Sequence, residues 1–93
     1  MPSLEEKILK HADFDTIEPH MRRRSVFVVR ELSLIDVGEA LSKDDSKEVA
    51  YWMESGNLSR PSIDEVMRWH ASETKFTVLV VQPFVLVKEE FDA

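Results

Sequence analysis

No cysteine stands anywhere in the 93 residues of this chain. That removes disulfides, thiolate metal ligands and thiol nucleophiles together, and it agrees with a reducing compartment. Only two glycines are present, and no glycine-rich phosphate loop, nucleophile elbow or zinc signature can be traced. No apolar segment approaches the roughly 20 residues that span a bilayer. The start, Met1-Pro2-Ser3-Leu4-Glu5-Glu6, has neither the basic residues nor the apolar run of a secretory leader, so a cytoplasmic protein is expected. Positive charge is also scarce: 12 basic residues face 18 acidic ones, a net charge of −6. Such a balance opposes general attraction to the phosphate backbone of nucleic acids, although it permits a local basic patch.

What the chain does contain is a long apolar run near its end, Phe76-Thr77-Val78-Leu79-Val80-Val81-Gln82-Pro83-Phe84-Val85-Leu86-Val87. Apolar side chains alternate onto both sides of this strand-like segment, so both sides must be covered. A domain of this size has a radius of gyration of about 12 Å and a diameter of roughly 32 Å. Residues 76–88 fully extended would span roughly 43 Å. The run is therefore longer than its domain. Either it bends at Gln82-Pro83 or its end projects onto another copy, and Pro83 cannot donate to a ladder.

The rest reads as one compact domain over residues 1–93. Ser3 and Glu6 fit a capping box for a first helix over about residues 4–12, and Thr16 caps a second toward Arg23 with Pro19 in its first turn. Ser25 to Glu31 reads as a strand. Ser33 opens a helix carrying Leu34, Val37 and Leu41. Asp44 or Asp45 opens another with Val49, Ala50, Trp52 and Met53, closed by Gly56 in a left-handed conformation. Ser62 with Glu65 is a second capping box, and Ile63, Val66, Met67 and His70 follow as the apolar stripe. The expected architecture is α+β. A small antiparallel sheet, with strands near 25–31 and 75–88 and the latter kinked at Pro83, packs with four to five short helices.

From Leu34 onward the chain resembles a small bacterial family known as domain-of-unknown-function family 2288. The resemblance rests on Leu34-Ile35-Asp36-Val37-Gly38-Glu39-Ala40, on Asp44-Asp45, on Val49 and Trp52 before Ser55-Gly56, and above all on Val80 to Val87. Phe84 stands where a tryptophan is expected in that family. About two thirds of the chain is covered, and residues 1–24 match poorly. The resemblance implies a bacterial, cytoplasmic protein and carries no catalytic residue across.

Candidate chemistry is sparse. His11, Asp13 and Asp15 alternate and could share one side of an extended segment, a possible set for a hard or borderline metal; a helix end followed by a turn explains them equally well. His70 lies near Glu65 and Glu73 at helical spacing, as a general base would, yet a histidine on an apolar stripe reads more simply as packed and hydrogen-bonded. Arg22-Arg23-Arg24 could meet phosphate or an acidic partner, or could cap a helix end. The pairs Asp36/Glu39 and Asp44/Asp45 suit first helical turns. Asp64 and Arg68 suit a surface ion pair, and Trp52 and Trp69 suit the core.

The reading that best fits the residues is a non-catalytic module that binds a protein partner, foremost a second copy of itself, through Pro83, Phe84, Val85, Leu86 and Val87. No cofactor is called for. A metal-dependent or acid–base enzyme using His11, Asp13, Asp15 or His70 is the first alternative. A nucleic-acid or acidic-partner binder through Arg22, Arg23 and Arg24 is the second, with the net charge set against the nucleic-acid version.

Overall fold

The long apolar run doubles back at Gln82–Pro83, whose peptide bond is cis, and the hairpin so formed lies at the middle of the fold. The computed structural model describes residues 8–90. Their elements are β1 (Ile8–Ala12), α1 (Phe14–Arg22), β2 (Val26–Val29), α2 (Leu34–Ser42), α3 (Ser46–Ser55), β3 (Leu58–Ser59), α4 (Ile63–Ala71), β4 (Lys75–Val81) and β5 (Phe84–Glu90). All five strands join one sheet in the order β1-β4-β5-β2-β3. The longest dimension of the molecule is 36 Å, shorter than the extended run would need, and reversal at the turn resolves the mismatch.

The fold is α+β as expected, but the sheet is mixed rather than antiparallel. Strand β4 pairs antiparallel with β5 from Lys75↔Glu90 to Val81↔Phe84. β5 then pairs parallel with β2 through Val26↔Val85, Phe27↔Leu86 and Val28↔Val87. The reason is the completeness of the bend. A half-strand beyond a full reversal runs opposite to the half before it, so the half that reaches β2 arrives in the parallel sense.

Both faces of the sheet are covered from within the chain. On one face Ala12, Val26, Val28, Phe76, Val78, Val85 and Val87 pack with Ile17 of α1 and Trp69 of α4. On the other, Val29, Leu58, Leu79 and Leu86 pack with Leu34, Val37 and Ala40 of α2 and Trp52 of α3. The alternation along β5 sends Val85 and Val87 to one helical layer and Leu86 to the other. Trp69 meets Phe76 edge-on with ring centroids 5.0 Å apart, a geometry favoured by the aromatic quadrupole.

Local expectations fare unevenly. Ser33 and Asp45 cap α2 and α3, Gly56 ends α3 at φ 85°, and Ser62 with Glu65 forms a complete capping box on α4. The proposed first helix is corrected: residues 8–12 form the edge strand β1, paired with β4 through Ile8↔Leu79 and Leu9↔Val78. The backbone of β4 offers unpaired groups on that side, and a strand satisfies them where a helix cannot. The capping box at Ser3 and Glu6 falls outside the described residues.

The cap of helix α1 lies three residues earlier than expected. The Asp13 carboxylate accepts from the Thr16 amide at 3.1 Å and from its hydroxyl at 2.8 Å, so Asp13 rather than Thr16 is the cap. Pro19 consequently lies inside the helix, at an exposed position where water can serve the freed carbonyl.

Two helix stripes are also rotated from expectation. On α3, Val49 and Trp52 turn inward while Ala50 and Met53 turn out; on α4, Val66 and Trp69 turn inward while Ile63, Met67 and His70 are exposed. In each case burial of the indole three residues after a valine selects the face. Asp64 does not pair with Arg68, which instead forks onto both carboxylate oxygens of Glu89 on β5 at 2.7 and 3.0 Å.

Two substitutions test this core. Trp69→Ala should cost about 3–5 kcal/mol in denaturant unfolding through the cavity it leaves. Leu86→Lys should abolish the cooperative unfolding transition, because a charge would be buried between two covered faces. A stably folded L86K protein would contradict the central place of β5.

Candidate interaction surface

Helices α1 and α4 lie on the same sheet face and run antiparallel, since the start of one meets the end of the other. Phe14 faces His70 with ring centroids 5.7 Å apart, and at the other end Met21 and Val66 line a common wall. Between them runs an open trough of about 440 Å³, bounded by Phe14, Glu18, Met21, Arg22, Val66, Met67 and His70. Its α1 wall follows from helical spacing, with positions 14, 18, 21 and 22 on one side. Its surface is nearly all apolar. Met67 is 65% exposed beside it, and Ile63, one turn earlier on α4, is 79% exposed.

The trough continues at the Met21–Val66 end into a hollow of about 280 Å³ lined also by Arg24, Val26, Arg60 and Pro61. This end is cationic. Arg22 is held by Glu18 at 2.7 Å. Arg23 caps α1, and Arg24 follows with a left-handed backbone, φ 57°. Arg60 donates to the Arg24 carbonyl at 2.7 Å and lies 5.2 Å from the Phe27 ring centroid. Among the described residues no carboxylate pairs with Arg23, Arg24 or Arg60.

Two ion-paired anchors hold α4 in place. Arg30, just past β2, donates to both oxygens of Glu65 at 2.7 Å, to the Ser59 hydroxyl at 2.6 Å and to the Gly56 carbonyl at 3.2 Å. Glu65 thus serves Arg30 and, through the capping box, the Ser62 amide at 3.1 Å. Burial works to raise the pKa of Glu65, but the Ser62 and Arg30 contacts outweigh it and the net shift is downward. The Arg68 fork is the main cause holding Glu89 below the carboxylate range, with a lesser part from the Trp69 indole. The buried Trp69 Nε1–H has no partner in hydrogen-bond geometry, so its effect on Glu89 is that of a nearby dipole, not of a formed bond.

The residues singled out for chemistry are largely dispersed. His11 turns to β5, where its amide donates to Glu90 Oε2 at 2.7 Å and its Nδ1 lies 2.6 Å from Oε1. Asp13 is occupied as a helix cap. Asp13, Asp15, His70 and Glu73 do border one shallow cleft of about 330 Å³, together with Ser72 and Lys75. Among the described residues, though, no set of three or more His, Asp or Glu side chains is gathered as metal ligands would be. His70 is exposed, not packed as the stripe implied. Asp36, Glu39, Asp45 and Glu48 edge another depression, between α2 and α3, with Lys43 among them.

The surface expected at Pro83–Val87 requires correction. Val85, Leu86 and Val87 are 3%, 0% and 0% exposed, and both edges of β5 are taken by β4 and β2. Only the turn remains outside, with Pro83 exposed and Phe84 half-buried against Phe27. Sequence reasoning missed the trough because it assigned Ile63 and Met67 to the core. The available signal was that Trp69 and Met67 cannot share one face of α4.

Among the described residues, a five-stranded mixed sheet with two helices on each face and an apolar trough between α1 and α4 defines a small three-layer α+β domain. The chain belongs to the family described as Protein of unknown function (DUF2288), which it matches over residues 3–89. The match thus takes in residues 3–24 of the N-terminal segment that resembled the family poorly. The chain is also similar to a solved structure, the NMR solution structure of PA1075 from Pseudomonas aeruginosa. The TM-score is 0.84 at 26% identity, over 97% of this chain and 83% of that one. No curated protein matches the chain. Among the described residues no helix is long and apolar enough to cross a membrane.

The lowered carboxylates carry a pH signature. Glu65, Glu89 and Glu90 all lie below the ordinary value of 4.5 in the folded chain, so their contribution is complete above that value and is lost as pH falls through the folded-state values. Thermal midpoints should therefore fall as pH is lowered from about 5 through the folded-state values of these carboxylates. Glu89→Gln should start lower and lose less over the same interval; an identical acid slope would show that the Arg68–Glu89 fork contributes nothing.

Proposed function

We propose that this chain is a non-catalytic protein-interaction module whose docking surface is the trough between α1 and α4. The observation that carries the reading is the exposure of Ile63 and Met67 (79% and 65%) beside a nearly apolar trough. The opposite face of the same helix is fixed in the core by Trp69, which is fully buried. Single exposed apolar residues are ordinary, but two on one helix face beside a concave apolar wall are the pattern of an anchor pocket. Methionine suits such a surface, since its unbranched thioether adapts to a partner's shape.

The reading keeps interaction as the role and moves its surface. Self-association through Phe84 to Val87 is not retained, because a strand flanked on both edges and covered on both faces has nothing to offer a second copy. The enzyme alternative has weaker support. His70 shares a cleft with Asp15 and Glu73, yet no hydrogen bond among the described residues joins it to either, and catalysis would need that alignment.

Replacement of Met67 by a photoreactive benzophenone residue in the native host should yield a discrete protein adduct, and the same replacement at Tyr51 on α3 should not. Ile63→Asp in the labelled chain should remove the adduct while changing stability by no more than about 0.5 kcal/mol. Equal adducts from both positions, or none from position 67, would overturn the assignment.

A further inference from the structure

Resting on the trough as the docking surface, we infer that its occupant is an amphipathic helical segment of a different protein, with apolar side chains along one face and carboxylates at one end. Three features of the trough select this chemistry. Its walls are two helices whose backbone groups are bonded internally, and no free strand edge lines it. An entering segment must therefore satisfy its own backbone, which a helix does and an extended peptide does not. Its length is that of α1, residues Phe14–Arg22, or about 13 Å, so roughly two and a half turns of a partner helix would lie along it.

The third feature is the asymmetry of charge along the trough. The Phe14–His70 end carries no arginine, whereas the Met21–Val66 end opens on Arg24 and Arg60, with Arg23 adjacent. Glu18 already neutralises Arg22, and the exposed Asp64 is the acidic side chain nearest in sequence to Arg60. The balance at this end stays positive in a chain whose net charge is −6. Carboxylates entering here would be attracted locally and would set the direction of the bound helix.

A second copy of this chain is the poorer occupant. Its own acidic depression, at Asp36, Glu39, Asp45 and Glu48, lies on α2 and α3, across the sheet from the trough. Trough-to-acid contacts between copies would be heterologous and head to tail, whereas the commonest homo-oligomers are two-fold dimers joined through the same patch on both copies. Nucleic acid is also disfavoured, since the cations stand at the end of an apolar wall and no aromatic-interleaved basic surface accompanies them.

The test uses the full chain, isotope-labelled, and two synthetic helical peptides of about 12 residues, three turns long. Both carry leucines along one face; one ends in three glutamates and its twin in three lysines. The glutamate peptide should shift the amide resonances of Met21, Arg24, Val66 and Met67. It should bind roughly tenfold more tightly than the twin, and its advantage should shrink as salt is raised. Arg24→Glu should reverse the preference, and Met67→Asp should weaken both peptides.

Equal binding of the two peptides in the trough would overturn the charge assignment while leaving the trough as a docking surface. Binding of neither, or shifts confined to another face, would overturn the inference as a whole, and the crosslinking result would then stand or fall separately. A short DNA duplex that shifts Arg22 to Arg24 and is indifferent to Met67→Asp would also overturn it, in favour of phosphate binding. Measurable head-to-tail assembly of the free chain, abolished by Arg24→Glu, would overturn the choice of a different protein as partner.

Discussion

Everything in this fold depends on covering a central strand that is apolar on both sides. Leu86 and Val87 point to opposite faces and neither is exposed. A sheet with such a strand at its middle needs two helical layers, and the chain supplies them by sending α1 and α4 to one face and α2 and α3 to the other. A chain of this length has little helix to spare, so each helix is held by a few specific contacts. Trp52 and Trp69 fill the two layers, and Arg30 and Arg68 tie α4 to the sheet through Glu65 and Glu89.

The outer surface follows from that economy. Anchoring α4 by Trp69 on one side leaves Ile63 and Met67 on the other, and the antiparallel crossing with α1 leaves a trough beside them. The arginines arrive for a separate reason: they occupy the turn from α1 into β2, where positive charge suits a helix C-terminus. Their position at one mouth of the trough makes the surface directional. The helix-end role and the charged mouth of the trough thus fall on neighbouring residues, and for that reason the sequence alone did not separate a capping role for Arg22 to Arg24 from a binding one.

Legibility in the sequence was greatest where one or two residues act alone. Ser33, Asp45, Gly56, Ser62 and Glu65 all perform the capping roles that their identity and spacing suggest, because a cap needs only a side chain and a free amide nearby. The two tryptophans were legible as core for the same kind of reason, since their area leaves few alternatives. The helix stripes were less legible. Val66 and Met67 are neighbours of similar hydrophobicity, and only the buried position of Trp69 decides between them. The first described strand was the least legible, because Ile8 to Ala12 has no strong strand pattern of its own and becomes a strand by pairing with β4.

The sequence by itself determined that the run from Phe76 to Val87 must either bend at Gln82-Pro83 or project onto another copy, and that it must be covered on both sides. Length against domain size, the missing amide of proline and the period-two alternation suffice for that. Only the tertiary structure decided that the bend is a full reversal, that the second half runs parallel to β2, and that the cover comes from the chain's own helices. Those outcomes rest on contacts between residues far apart in the chain, such as Val26 with Val85 and Trp69 with Phe76, which no local pattern encodes. The same long-range packing moved the available surface from the closing strand to the trough between α1 and α4.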